Sequence, residues 1–165
     1  MDATRWLRHV FTADWLLWRH FPKRVLKAIE AAVTEQEKRH SGELRFVVEG
    51  GLPIGGLARG QRSRARAVEL FGALRVWDTG HNSGVLIYVL LADRAVEILA
   101  DRGIQAQVGN QKWEGICAQM RSGFTAGDFQ GGSVAGILAI SNLLAQHFPT
   151  SAENPNELPD RPVIL

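Results

Sequence analysis

The stretch Val85 to Leu91 is a continuous apolar run, preceded by the turn-rich Asp78 to Gly84 and followed by the polar pair Asp93 and Arg94. A strand with no polar residue on either side must be covered on both faces, as in sheets flanked by helices. That requirement alone removes single-faced meanders and simple helical bundles. The short connection Ala92, Asp93 and Arg94 leads into a second strand at 95–100, and it allows only an antiparallel hairpin.

Around this hairpin the periodicity alternates between helix and strand. Val25, Ile29, Ala32, Val33 and Gln36 recur at helical spacing after Pro22, predicting a helix over 22–40 that stops at Gly42. Leu44, Phe46 and Val48 alternate with Arg45, Val47 and Glu49, and the pair Gly50 and Gly51 ends a strand at 43–49. The glycine-rich stretch 50–60 reads as a loop. Ala65, Val68, Phe71 and Leu74 predict a helix over 62–75, the crossover between two parallel strands.

Residues 106–108 read as a short edge strand. Trp113, Ile116, Cys117 and Met120 then define a helix over 110–122, and Val134, Ile137, Leu138, Ser141, Leu144 and Phe148 a final one. The expected fold is therefore α/β, a three-layer α/β/α sandwich with a small mixed central sheet. We divide the chain into a tryptophan-rich helical arm at 1–21, the sandwich at 22–148, and a proline-rich extended tail at 149–165. Val163, Ile164 and Leu165 after those prolines predict that the tail docks on its own domain.

Composition excludes more than it names. Nineteen Lys and Arg against 17 Asp and Glu leave a net charge of +2, so no nucleic-acid partner is expected. Cys117 is the only cysteine, which rules out an intrachain disulfide and points to a reducing, cytoplasmic setting. Its apolar helix face makes it a core thiol. His9, His20, His40, His81 and His147 show no metal-binding doublet, there is no Gly-x-Ser-x-Gly elbow, and the phosphate-loop spacing is absent. No apolar run reaches the roughly 20 residues of a membrane span, and no secretory leader is read at the start. The segment from Trp6 to Phe21 reads as a helix packed on the domain, with an interfacial amphipathic helix as the alternative.

Candidate chemistry gathers where parallel strands end, since ligands of open α/β sheets sit beyond the carboxyl ends. Glu49 and Asp93 are the candidate carboxylates there, with Gly50, Gly51 and Arg94 completing a ligand cleft. Two carboxylates and loop carbonyls form a partial oxygen set for Ca²⁺ or another divalent cation. Glu43 and Glu30 are more remote helpers. A second polar cluster is expected at the opposite edge, from Asp78, Thr79, Asn82, Asp101 and Arg102 with Gly103. Its alternative reading is plain turn chemistry. Arg59, Arg62, Arg64 and Arg66 form a candidate anion or partner surface, or a solvated helix face.

The segments HSGELRFVVEGG, RVWDTGHNSGVLIYVLLADRAVEILADRGI and MRSGFTAGDFQGG resemble the TPM domain family, the thylakoid-lumen photosystem II repair proteins and their bacterial relatives. The resemblance runs from about Val25 to Phe148. It rests chiefly on the strand Gly84 to Leu91, the pair Asp93 and Arg94, and the turn Asp101 to Gly103. It implies an α/β/α sandwich, calcium binding in some members, and an acid phosphatase activity in one plant branch. Lacking the signal peptide and C-terminal membrane helix of familiar members, the chain looks like a short soluble bacterial branch. The resulting expectation is a non-enzymatic accessory domain that works with protein partners, some membrane-associated, in membrane-protein maintenance or stress response. A metal-dependent phosphate monoester hydrolase is the alternative.

Overall fold

The computed structural model describes residues 3–11, 13–150 and 155–165. Their order is α1 (Ala3–Phe11), α2 (Ala13–His20), α3 (Lys23–Glu37), β1 (Glu43–Glu49), α4 (Ile54–Ala58), α5 (Ser63–Ala73), β2 (Gly84–Leu90), β3 (Ala95–Ala100), α6 (Arg102–Val108), α7 (Asn110–Thr125), α8 (Phe129–His147) and β4 (Val163–Ile164). The sheet runs β3-β2-β1-β4. β1 is parallel to β2 and to β4, and the hairpin β2–β3 is antiparallel, so the sheet is mixed as the sequence requires.

Strand alternation sorts the core into two layers. Leu44, Phe46, Val48, Val85, Ile87, Val89, Val96 and Ile98 face one way, into α2, α3, α7 and α8. Val47, Leu86, Tyr88, Leu90 and Leu99 face the other way, against Leu57 of α4 and Ala67 and Leu70 of α5. Every residue of β2 is buried, as a strand sandwiched between helical layers must be. Among the described residues no helix is long and apolar enough to cross a membrane.

The structure departs from the sequence reading at three places. Residues 106–108 form the last turn of α6 and no strand: Ile104 and Val108, four apart, are buried together, and Asp101 caps the helix by accepting the Arg102 N–H. Three alternating residues were too short to tell the periods apart. The loop 50–60 contains the one-turn helix α4, which buries Leu57 although Gly55 and Gly56 are weak helix formers. Helix α8 starts at Phe129, earlier than its apolar stripe, capped by the Asp128 carboxylate on the Gly131 N–H at 2.7 Å.

Gly132 of that extra turn and Gly136, one turn on, face α7. A Cβ on Gly136 would lie 2.4 Å from the Met120 Sδ, and one on Gly132 would lie 3.0 Å from the Phe124 ring. They let α8 approach α7. The arm is two helices: Leu17 and Phe21 enter the first layer, and Trp6 packs against the second.

The tail lies on its parent domain. Leu165 exchanges backbone hydrogen bonds with Val48 and Gly50, extending the sheet beyond β1. Leu158 is buried and its N–H donates to the Glu43 carboxylate at 3.0 Å. Arg45 donates to the Pro159 and Arg161 carbonyls.

Candidate functional site

Parallel pairing of β1 with β2 brings Glu49 level with Leu90, so Gly50, Gly51 and the Leu91–Arg94 turn share one sheet edge. The Gly50 carbonyl accepts the Ala92 N–H at 3.0 Å, tying the two strand ends together. Glu49 and Asp93 do reach this edge. Each carboxylate is already occupied.

Glu49 is almost fully buried and accepts from the Arg66 Nη2 at 2.8 Å, the Arg66 Nε, and the Tyr88 hydroxyl at 2.6 Å. The bonds to Glu49 push the Arg66 pKa up, and burial followed by the negative Glu49 pushes that of Tyr88 up. Asp93 accepts from the Arg5 Nη2 at 2.8 Å, the Arg5 Nε at 3.1 Å and the His9 Nε2 at 2.9 Å. Burial alone would raise the Asp93 pKa, but the bonds from Arg5 and His9 outweigh it and hold it below the usual range.

His9 is fixed at both ring nitrogens. The Leu52 N–H must donate to Nδ1 at 2.9 Å, so Nε2 carries the proton that Asp93 accepts. No lone pair is left for proton abstraction, and the His–Asp pair fastens the arm to the strand ends. Arg5 adds a bond to the Gln61 carbonyl at 2.8 Å. Sequence reasoning passed over Arg5, His9 and Tyr88; the spacing of Arg5 and His9 at i and i+4 was the available signal.

As arranged, these residues do not fit a calcium ion. Hard cations take six to eight oxygens at about 2.3–2.6 Å, whereas both carboxylates here face guanidinium groups. Among the described residues no three His, Cys, Asp or Glu stand close enough to share a metal. Glu43 offers no help: it begins β1 while Glu49 ends it, roughly 20 Å apart at strand rise. Glu30, half-buried on α3, belongs to the helix layer packed on the opposite sheet face.

A cleft of about 570 Å³ opens beside the edge. Its walls are Trp15, Leu16, Val89, Leu91, Phe124 and Phe129, and Arg94 and Arg121 stand in its lining without an ion-pair partner among the described residues. No Asp or Glu lines it. Arg94 sits at φ 51°, in the tight turn before β3.

The remaining predicted residues separate. Arg66 closes on Glu49, Arg64 donates to the Ile98 carbonyl at 2.8 Å, and Arg59 and Arg62 stay exposed around the α4–α5 loop. The opposite edge does gather its cluster: the Thr79 hydroxyl accepts the Ser83 N–H, and Gly103 lies so close that a Cβ would come within 2.7 Å of the Asn82 carbonyl. Asp101 caps α6, Asp78 lies 3.8 Å from Arg75, and Arg102 is exposed. All these bonds are turn and cap bonds. Cys117, its thiol pushed up to about 11 by burial, is no nucleophile.

Beside that edge a buried acid sets a pH dependence. Burial pushes Glu37 up to about 9, against the lowering bond from the Leu44 N–H and with added repulsion from Glu43 and Asp160. The folded state thus keeps a proton that the unfolded chain, at 4.5, releases, so stability falls as pH rises from about 4.5 to about 9. Buried His40, lowered to about 4 from 6.5, acts oppositely: its contribution is lost as pH falls through that window. Of these two groups, Glu37 is the one that acts above neutrality. Thermal melts are expected to fall between about pH 7 and 9 by up to about 3–5 °C per unit, and Glu37→Gln to flatten that limb.

Comparison with known proteins follows the same architecture. The family model for the TPM domain matches residues 21–143. The solution NMR structure of the BA42 protein from the psychrophilic bacterium Bizionia argentinensis is similar at 31% identity and a TM-score of 0.76, covering 86% of this chain and 93% of that one. Comparison with curated proteins returned no match. With a family match over most of its length and a sandwich that superposes on BA42, the chain belongs to the TPM domain family.

Proposed function

We propose that this chain is a non-enzymatic binding domain of the TPM type, whose carboxyl-edge cleft receives an acidic segment with apolar side chains from a protein partner. The observation that carries this reading is the division of labour at the edge. The two carboxylates that would serve hydrolysis are locked by Arg66 and Arg5, while Arg94 and Arg121 in the lining of the apolar cleft have no ion-pair partner among the described residues. Family resemblance supplies the setting, partners in membrane-protein maintenance or stress response. Modulation by a divalent cation has to work by displacing Arg5 from Asp93 or Arg66 from Glu49.

Purified protein given a generic phosphate monoester, with and without calcium or magnesium, is expected to show no turnover above the blank. Metal-dependent turnover that disappears in Asp93→Asn would replace this reading with a hydrolase. In parallel, a protein that co-purifies with the wild type from native cells is expected to be lost with Arg94→Glu combined with Arg121→Glu. Both side chains are exposed, so the fold tolerates the change.

A further inference from the structure

We infer that the outward face of α1 and α2 is a membrane-surface element, which lays this domain on bilayers carrying anionic phospholipids. This goes beyond the binding reading above and does not depend on what fills the cleft. Among the described residues, Leu7, Val10, Phe11, Trp15 and Trp18 make up half of all exposed large hydrophobic side chains, within the first two helices. Phe11 is 76% and Trp15 60% exposed.

The pattern is directional. On α1, Arg5, Trp6 and His9 turn inward, to Asp93, the second core layer and Leu52. Leu7, Val10 and Phe11, at i, i+3 and i+4, are left on the outer side. On α2, Leu17 and the partly buried Leu16 pack inward while Trp15 and Trp18, three apart, stay out. The two helices meet at the cleft mouth, which Arg8 and Trp15 both line. The face is therefore what remains after each helix has met its own domain, and it concentrates large apolar side chains that a solvated surface carries singly.

Charge selects the occupant. Apart from Arg5, which is spent on Asp93, residues 3 to 27 carry Arg8, Arg19, Lys23, Arg24 and Lys27 against the single acid Asp14, whereas the whole chain carries only +2. Lys23, Arg24 and Lys27 are exposed on the first turns of α3, directly after the arm. Arg19 lies 5.1 Å over the Trp15 ring, pairing a cation with an aromatic at the outer surface. Tryptophan and phenylalanine beside Lys and Arg on an amphipathic helix suit the headgroup level of an anionic leaflet. A second copy of this chain would bring the same positive arm against itself.

The test is flotation of the full chain with vesicles of phosphatidylcholine alone and of phosphatidylcholine with phosphatidylglycerol. Strong flotation with the anionic vesicles and weak flotation with the neutral ones is expected. The triple variant Phe11→Ser, Trp15→Ser, Trp18→Ser is expected to bind about tenfold less or weaker at an unchanged melting temperature, and Lys23→Glu with Arg24→Glu to lose the anionic preference. Should the triple variant fail to fold, quenching of the unmodified chain's tryptophans by brominated anionic lipid gives the same answer. No flotation and no quenching, or flotation unaltered in a folded triple variant, would overturn the proposal. A concentration-dependent dimer in sedimentation velocity that the triple variant abolishes would also overturn it, assigning the face to a second copy.

Discussion

Deleting residues 155–165 is expected to lower the melting temperature by about 6–12 °C, the equivalent of about 3 kcal/mol for a domain of this size. Removal of this segment strips β4 from the edge of β1 and leaves the Val48 carbonyl and Gly50 N–H without their Leu165 partners. It also uncovers Leu158, whose burial is worth about 1.5–3 kcal/mol. Glu43, 2% exposed, loses the Leu158 N–H, and Arg45 loses the Pro159 and Arg161 carbonyls. Ordering eleven residues offsets much of this gross gain, because each fixed backbone costs about 1–2 kcal/mol, and the prolines reduce that cost by restricting the free chain. Differential scanning calorimetry on the shortened chain checks the expectation. An unchanged transition would mean that the tail contributes nothing to the domain and is held there only loosely.

Arg66→Ala is expected to cost about 3–5 kcal/mol, lowering the melting temperature by about 10 °C or more. The cost comes from the carboxylate left behind and not from the pair as such. Glu49 is 2% exposed, and with Arg66 gone only the Tyr88 hydroxyl faces its charge in a region shut off from water. The double variant Glu49→Gln, Arg66→Ala removes that charge, keeps an acceptor for Tyr88, and is expected to recover more than half of the loss. Chemical denaturation of the wild type, both single variants and the double variant completes the cycle. If the double variant were as unstable as Arg66→Ala, the loss would lie in the packing of the arginine stem and not in the stranded charge.

The candidate site was legible in the sequence only as far as the backbone determines it. Glu49 and Asp93 could be placed on one edge because parallel strands joined by a crossover end together, and the turn after β2 is too short to go elsewhere. Their neutralisation could not be read. Arg5 lies 88 positions from Asp93, and its guanidinium reaches the carboxylate only because α1 folds back across the strand ends. Arg66 was grouped with Arg59, Arg62 and Arg64 because the four are near neighbours in sequence; helical geometry then pointed Arg66 at Glu49 and Arg64 at the Ile98 carbonyl. The edge strand expected at 106–108 failed for a different reason. Local alternation of three residues carries almost no information, and the burial of Ile104 with Val108 favoured a helix.

What the sequence determined by itself was the layered class. An unbroken apolar strand at Val85 to Leu91, flanked by helical stripes and followed by a turn too short for a crossover, leaves a mixed sheet between helices as the one arrangement that covers that strand on both faces. Periods of 2 and 3.6 residues are local properties, so they survive in one dimension. Only the tertiary structure decided the rest: the fourth strand from the tail, the pairing of Arg5 with Asp93 and of Arg66 with Glu49, and the outward face of the arm. Each depends on which distant charge or apolar side chain satisfies a buried group, and the cost of leaving such a group unsatisfied arises only when the layers close and water leaves.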